Sequence, residues 1–297
     1  MIEITSLTKC TFDELLLVWN QGFSGYPMNM TTSIDTLAAR FGRDGLSPEL
    51  SLVAWEGGRP VGFILNGYRL VQGKNIAWNG GTGVIPEYRR SGVGHRLLEA
   101  CIDAYRQTGI ETAYLEALAQ NTAAISLYER HGYRTIDEVT VLSRDGVLSP
   151  DSFVAGNDEV TAYVLRRGPA VSAARLPFYR AFGPWQTQWM NIHQGQSIIL
   201  ENGEGSPVAY ALFHEQNTDA GDVTGIRLFQ CEVAPGAALP EVAISVLLRE
   251  VYAPLDEACR RTTSNISCKN GAVIGVLVSA GFAVLAKQVV MMRELGG

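Results

Sequence analysis

The spacing of apolar residues changes period several times along the chain, and each change marks an element. Ile2 and Ile4 alternate with polar neighbours over Ile2–Thr5, which predicts a strand. From Thr11, an N-cap residue with Glu14 at the capping-box position, the spacing turns helical and runs through Trp19. Phe23-Ser24-Gly25-Tyr26-Pro27 reads as loop, and Ser33 to Arg40 as a second short helix. Leu50 to Trp55 and Pro60 to Leu70 are two strands around Glu56-Gly57-Gly58-Arg59, a hairpin signal, and Asn75 to Ile85 is the next strand. Leu97, Leu98, Cys101, Ile102 and Tyr105 then recur at helical spacing up to Gly109, a good terminating glycine. Ile110 to Ala119 is a strand, Asn121 caps a short helix closed by Gly132, and Tyr133 to Leu142 is a further strand.

Polar, Gly/Pro-containing sequence from Ser143 to Asp158 reads as connecting chain. It divides a first domain, 1–145, through a linker, 146–158, from a second run of elements, 159–297. Strands and helices in this order predict an α/β protein with a mixed sheet and helices on its faces.

Composition narrows the class. At 297 residues, 46% hydrophobic and 18% charged, the chain has ample material for one or two packed cores. Its net charge of −6, without a long basic run, argues against nucleic acid or an anionic membrane surface as main partner. The apolar runs fall short of a membrane span, and the opening residues do not read as a signal peptide. The five cysteines are scattered, with no Cys-x-x-Cys and no histidine at metal spacing. They fit free thiols in a reducing cytoplasm, and no metal site is expected.

The chemistry concentrates in Gly83-Val84-Ile85-Pro86-Glu87-Tyr88-Arg89-Arg90-Ser91-Gly92-Val93-Gly94-His95-Arg96. Pro86 ends the extended run, and Gly92 and Gly94 let a ligand lie almost on the main chain. The first amides of the following helix lack helical partners and carry the positive end of its dipole, so the segment is a seat for phosphate. Twenty-seven residues after Gly94 comes Asn121-x-x-Ala124-x-x-Leu127-Tyr128-x-x-x-Gly132-Tyr133.

Paired in this order and spacing, the two runs resemble the signature motifs of the GNAT superfamily of N-acetyltransferases, over roughly residues 1 to 142. The resemblance implies an acetyl-CoA-dependent enzyme. The pyrophosphate would sit on the amides of Arg89, Arg90, Ser91, Gly92, Val93 and Gly94, near His95 and Arg96, with at least one of Arg89 and Arg90 as a ligand contact. The strands ending near Val84 and beginning near Ile110 would splay, and the pantetheine arm would pair with the Thr82–Val84 edge. Asn121 would touch that arm or hold the wedge open, and Tyr128 would face the thioester sulfur as general acid. A backbone N–H near Val84 would steady the oxyanion. Glu116 is the motif-consistent carboxylate, as general base or as the group that positions a water. Trp78 is either sheet core or acceptor-pocket lining. His95 and His131 read as solvated helix residues rather than catalysts, and His95 keeps a place beside the pyrophosphate.

The second half repeats the first without its chemistry. Pro60-Val61-Gly62-Phe63-Ile64-Leu65 matches Pro207-Val208-Ala209-Tyr210-Ala211-Leu212 at an offset of 147 residues. Val84-Ile85-Pro86 matches Val233-Ala234-Pro235, and Asn121 and Gly132-Tyr133 match Asn270 and Gly281-Phe282, at an offset of 149. At that offset Arg89, Gly92, Gly94 and Tyr128 become Ala238, Glu241, Ala243 and Leu277. The expectation is two tandem copies of one fold, the second degenerate and serving architecture, acceptor shaping or self-association. The leading function is a cytoplasmic N-acetyltransferase acting on a primary amine in a ternary complex. A non-catalytic acyl-CoA-binding protein is the alternative. The acceptor and the oligomeric state, a homo-oligomer included, stay open.

Overall fold

A computed structural model describes residues 1–153 and 163–296. The chain forms two compact units, Met1–Ile136 with Val289–Gly297, and Asp137–Gln288. The expected division at 145 and 159 differs from this, because an alternating strand pattern at the end of the chain does not say which sheet it joins.

Unit 1 contains β1 (Glu3–Ser6), α1 (Phe12–Gly22), α2 (Ile34–Asp44), β2 (Leu52–Glu56), β3 (Arg59–Val71), β4 (Lys74–Val84), α3 (Val93–Gln107), β5 (Thr112–Leu118), α4 (Thr122–Arg130) and the start of β6 (Arg134–Gly146). The capping box expected at Thr11 and Glu14 is present in both directions. Its sheet runs β1-β2-β3-β4-β5 and is continued past β5 by the last strand of the chain. The Leu295 N–H donates to the Glu111 carbonyl at 2.9 Å. Neighbours in β1 to β4 are antiparallel, and β4 and β5 are parallel. α1 packs on one face, where Trp19 stacks on Phe63 at 5.2 Å. α3 packs on the other, so close that a Cβ on Gly62 would meet Leu97 and Val93 at 3.1 and 3.2 Å.

Unit 2 takes β6 from Asp137 onward, then β7 (Val164–Pro169), β8 (Gln196–Glu201), β9 (Pro207–Asn217), β10 (Val223–Val233), α5 (Pro240–Val251), β11 (Cys259–Thr263), β12 (Ile266–Ser267), α6 (Gly271–Ser279) and the first half of β13 (Ala283–Glu294). Its strands run β6-β11-β10-β9-β8-β7. Where unit 1 has α1 and α2, this unit has 3-10 turns at Ala170–Arg175, Trp185–Thr187 and Trp189–Asn191.

The stretch read as linker packs as far as it is described. Residues 143–146 pair with β11, and Leu148 and Phe153 are buried in the core of unit 2. Residues 154–158 of the expected linker, and the expected start of the second run near Val160, lie outside the described residues. Among the described residues no helix is long and apolar enough to cross a membrane.

Candidate active site

β4 and β5 stay paired for only four positions, Ile76 with Thr112 through Asn79 with Leu115. Past that point, Gly80–Val84 and Glu116–Leu118 part. The antiparallel register with β3 fixes which way the parted edge of β4 faces. The Ile85 N–H donates to the Val61 carbonyl at 3.0 Å, so by alternation Gly83 faces β3 while Thr82 and Val84 turn their N–H and C=O groups into the gap.

At the far end of β4 the chain makes a 3-10 turn at Pro86–Tyr88 and enters α3 through two left-handed residues, Arg90 (φ 62°) and Gly92 (φ 87°). The first helical hydrogen bond runs from the Arg96 N–H to the Gly92 carbonyl at 3.1 Å. The amides of Val93, Gly94 and His95 therefore point out of the helix mouth without helical partners, beside the exposed turn Arg90–Gly92. Gly94 fits closely, since a Cβ there would approach Leu127 of α4 at 3.3 Å.

Tyr128 reaches the parting point from α4. It is buried, and burial pushes its phenol up to about 12 against the lowering influence of the nearby Thr82 and Asn79 side chains. Its ring meets Tyr133 edge-on at 5.9 Å. On β5 the Glu116 carboxylate accepts from the Trp78 indole N–H at 2.7 Å. That resolves the two readings of Trp78: the ring is fully buried in the sheet and its nitrogen holds Glu116. Asn121 caps α4, its Oδ1 accepting from the Ala124 N–H at 3.2 Å.

The loop between α1 and α2 is fastened beside the gap by Arg89, and its Tyr26 lies near Asn121 and Leu118. Arg89 donates to the Gly22 and Ser24 carbonyls at 3.1 and 2.7 Å and to the Val84 carbonyl at 3.0 Å. The Tyr26 phenol is raised above its usual range chiefly by burial, with the nearby Asn121 side chain and Leu118 backbone pulling it back.

Several expected phosphate contacts are spent within the protein. The Arg89 guanidinium holds three carbonyls, and its amide donates to Pro86 O at 3.1 Å. Arg96 reaches Ile2 O at 2.8 Å, and its amide is the first helical donor. Ser91 Oγ donates to Tyr88 O at 2.6 Å, which leaves its main chain at the turn. His95 is exposed, as expected, but the reading of His131 as solvated needs correction. His131 is buried, its Nε2 lies 2.7 Å from His95 Nδ1, and His95 Nε2 faces Glu99 at 3.3 Å. Burial and His95 hold His131 below the usual imidazole range. These were invisible in sequence because each depends on a partner many positions away. Tyr26 and Asn79, which sequence reasoning did not single out, were missed for the same reason. Among the described residues no three His, Cys, Asp or Glu side chains gather as a metal would need.

A mixed sheet whose central parallel pair opens beside a glycine turn and a helix mouth defines a class, and the comparisons name it. Residues 16–133, from within α1 to Tyr133, match the acetyltransferase (GNAT) family; the chain carries a domain of that family, and its two units are a tandem arrangement of the fold. Among particular relatives, the [ribosomal protein bS18]-alanine N-acetyltransferase of Escherichia coli (strain K12) is 48% identical over 50 residues, 17% of this chain and 34% of that protein. A mycothiol acetyltransferase of Pseudarthrobacter chlorophenolicus is 33% identical over 128 residues, 42% of this chain and 40% of that protein. The chain thus spans about a third to two fifths of the length of these relatives. A tandem GNAT protein from the clavulanic acid biosynthesis pathway shares the fold along the whole chain, with a TM-score of 0.62, 15% identity, and coverage of 100% of this chain and 99% of that one.

Proposed function

We propose that unit 1 is an acetyl-CoA-dependent N-acetyltransferase acting by direct transfer to a primary amine, with one site per chain. The observation that carries the reading is the parted edge of β4 and β5 with the Tyr128 hydroxyl at the point of parting. The residues present suit the donor. The unpaired amides of Val93, Gly94 and His95, with the main chain of Arg90, Ser91 and Gly92, offer donors and a positive dipole end to a pyrophosphate. The outward N–H and C=O groups of Thr82 and the N–H of Val84 offer strand-like bonds to an amide-bearing arm. Arg89 contributes by fixing the turn. Asn121 holds the mouth of the gap from the cap of α4.

Acetyl-CoA supplies the acyl group in activated form, as a thioester. The chain's own residues do the rest. The Val84 N–H, turned into the gap, is placed to steady charge on the acyl oxygen. Tyr128, kept protonated by burial at any physiological pH, holds a proton at Oη for the departing sulfur. Glu116, fixed by Trp78, takes the proton of the attacking amine directly or through water. A lysine-like amine has a pKa near 10.4 and must first be neutral, which is why a carboxylate there is useful. The acceptor class is a primary amine, of a small molecule or of a peptide; both relatives named above are acetyltransferases whose own acceptors belong to them.

Calorimetric titration with CoA and with acetyl-CoA tests the reading, on the wild type and on Gly92→Glu/Gly94→Glu. One micromolar site per chain that the double variant loses, followed by turnover on an amine panel, is the expected result. Binding without turnover on any amine would leave only an acyl-CoA-binding protein, and no binding would overturn the proposal altogether.

A further inference from the structure

α1 has no basic residue in its last turn, so its Gly22 carbonyl and the negative end of its dipole need a donor from elsewhere. Arg89 supplies it from the turn that follows β4. Its Nη2 donates to the Gly22 and Ser24 carbonyls at 3.1 and 2.7 Å, and its Nε to the Val84 carbonyl at 3.0 Å. The helix end lies directly on the strand there. A Cβ on Gly22 would stand 3.3 Å from the Gly83 backbone, and one on Gly83 would stand 2.5 Å from the Phe63 ring. The far end of the loop is held differently. The Trp19 indole donates to the Met30 carbonyl at 2.8 Å, and Asn20 makes two hydrogen bonds with the Thr32 backbone, at 3.0 and 3.2 Å. The near end is thus tied to the glycine turn, and the far end to α1 itself.

We infer that Arg89 is a positioning residue that couples the pyrophosphate seat to the loop beside the gap, so that filling the seat firms the loop, an inference that rests on the N-acetyltransferase reading above. The turn holds a left-handed residue other than glycine, Arg90, next to helix-mouth amides that have no helical partners. Such a conformation persists where its surroundings over-determine it. An anion bonded to the Val93, Gly94 and His95 amides does that, and it narrows the positions open to Arg89 just before the turn. The guanidinium is a planar fork, and two of its nitrogens serve three carbonyls on two elements. It can do so only while turn and loop keep their spacing, so ordering one orders the other. The coupling runs equally in both directions. Unit 2 solves the same problem without its helix mouth. At the offset of 149 residues Arg89 becomes Ala238 and Gly83 becomes Glu232. The chain preceding β8 is tied there by its own Arg180, whose Nη1 donates to Glu232 of β10 at 3.4 Å. That tie runs to the strand and bypasses the turn.

ADP carries a pyrophosphate but no pantetheine arm, so it fills the seat without entering the gap. Hydrogen exchange is followed at the Phe23, Ser24 and Tyr26 amides, which donate to the Trp19, Gln21 and Phe23 carbonyls at 3.1, 3.0 and 3.0 Å. Saturating ADP should slow them about five- to tenfold in the wild type. The Thr32 amide, held by Asn20, is the internal control and should not respond. Arg89 is exposed, and Arg89→Met keeps its stem while removing its donors. In that variant ADP should leave all four amides unchanged, and calorimetry should show ADP weakened by at most the same factor. ADP that binds without slowing the loop, or that speeds its exchange by drawing Arg89 off the carbonyls, would overturn the inference. So would equal slowing at Thr32, or an Arg89→Met loop that responds as the wild type does. Each of these leaves the N-acetyltransferase reading standing as long as CoA binds. Binding of CoA but not of ADP would also overturn the coupling alone, because the seat would not act on pyrophosphate by itself. A protein that binds neither would remove both.

Discussion

The two units place the same asparagine at the same point of one fold and use it for opposite ends. In unit 1, Asn121 turns its oxygen onto the Ala124 N–H and caps α4, leaving the edge of β4 open. In unit 2, Asn270 makes no such cap; its Nδ2 reaches across to the Cys231 carbonyl of β10 at 2.8 Å. Cys231 stands where Thr82 stands in unit 1, 149 residues earlier. β10 and β11 also pair for four positions before parting, so the strand geometry survives. The gap itself is bridged, because the outward carbonyl a ligand would need already has a donor. The helix mouth has changed too. α5 begins with Pro240 after Leu239, and Glu241 lies in its first turn where α3 follows a left-handed Gly92. A carboxylate there satisfies the helix dipole from within and repels a phosphate. Leu277 replaces Tyr128. A site is lost by a few side chains and one amide while the fold that held it remains.

The comparison breaks hardest at Tyr128. If unit 1 owes its chemistry to this hydroxyl, Tyr128→Phe should lower kcat by about 10²- to 10³-fold with CoA affinity nearly unchanged. A variant that keeps wild-type kcat in steady-state assays would make the phenol a core residue, no different in kind from Leu277. Glu116→Gln comes next. Its cost should be about 10- to 100-fold at neutral pH and should shrink as pH approaches the pKa of the acceptor amine, where the base is no longer needed. A loss independent of pH would instead assign Glu116 to holding Trp78.

How far sequence carried this comparison depends on range. The helices and strands of unit 1 were legible from periodicity and caps, and Gly92, Gly94, Asn121 and Tyr128 from motif spacing, because each obeys a rule over a few residues. The bulge at Gly80, where the register of β4 with β3 slips, was not legible: one inserted residue in a strand rich in Gly and Asn leaves no mark on a period-two pattern. Nor was the engagement of Arg89 with Gly22 and Ser24 or of Arg96 with Ile2, or the nearness of Tyr26 to Asn121, since charge and type say nothing of a distant partner. The membership of Val289–Glu294 in unit 1 was hidden for the same reason.

A smaller effect sharpens the contrast at the bridge itself. Asn270→Ala removes the donor to the Cys231 carbonyl and should cost about 1 kcal/mol in denaturant unfolding. It should not create a second CoA site, because the glycine turn and the phenol are still missing. Two equivalents of CoA per chain in calorimetry would show that the amide alone had closed unit 2.

The smallest effect separates the units by pH. His131 of unit 1 is held below the ordinary imidazole value of 6.5 by burial first and by His95 next, with Arg293 and Arg130 adding to the effect and Glu99 opposing it. Its folded state resists protonation more than its unfolded state does. The stability it contributes is therefore complete above pH 6.5 and is lost as pH falls through the lower folded value. At the same offset unit 2 has Ile244 and Ala280 in place of His95 and His131, and neither titrates. Unit 2 carries the opposite term. Glu232 is raised above its ordinary 4.5 by burial and by Asp137, against the pull of Arg180. Its contribution is complete below 4.5 and is lost as pH rises through the folded value, so unit 2 gains as pH falls. Hydrogen exchange at about pH 7.5 and pH 5, corrected for intrinsic rates, should show α3 and α4 losing protection while α5 and α6 hold or gain it. His131→Gln should abolish the loss in unit 1 and leave unit 2 untouched. Parallel loss in both units would mean that acid acts on the chain as a whole and that the buried histidine pair is not its point of action.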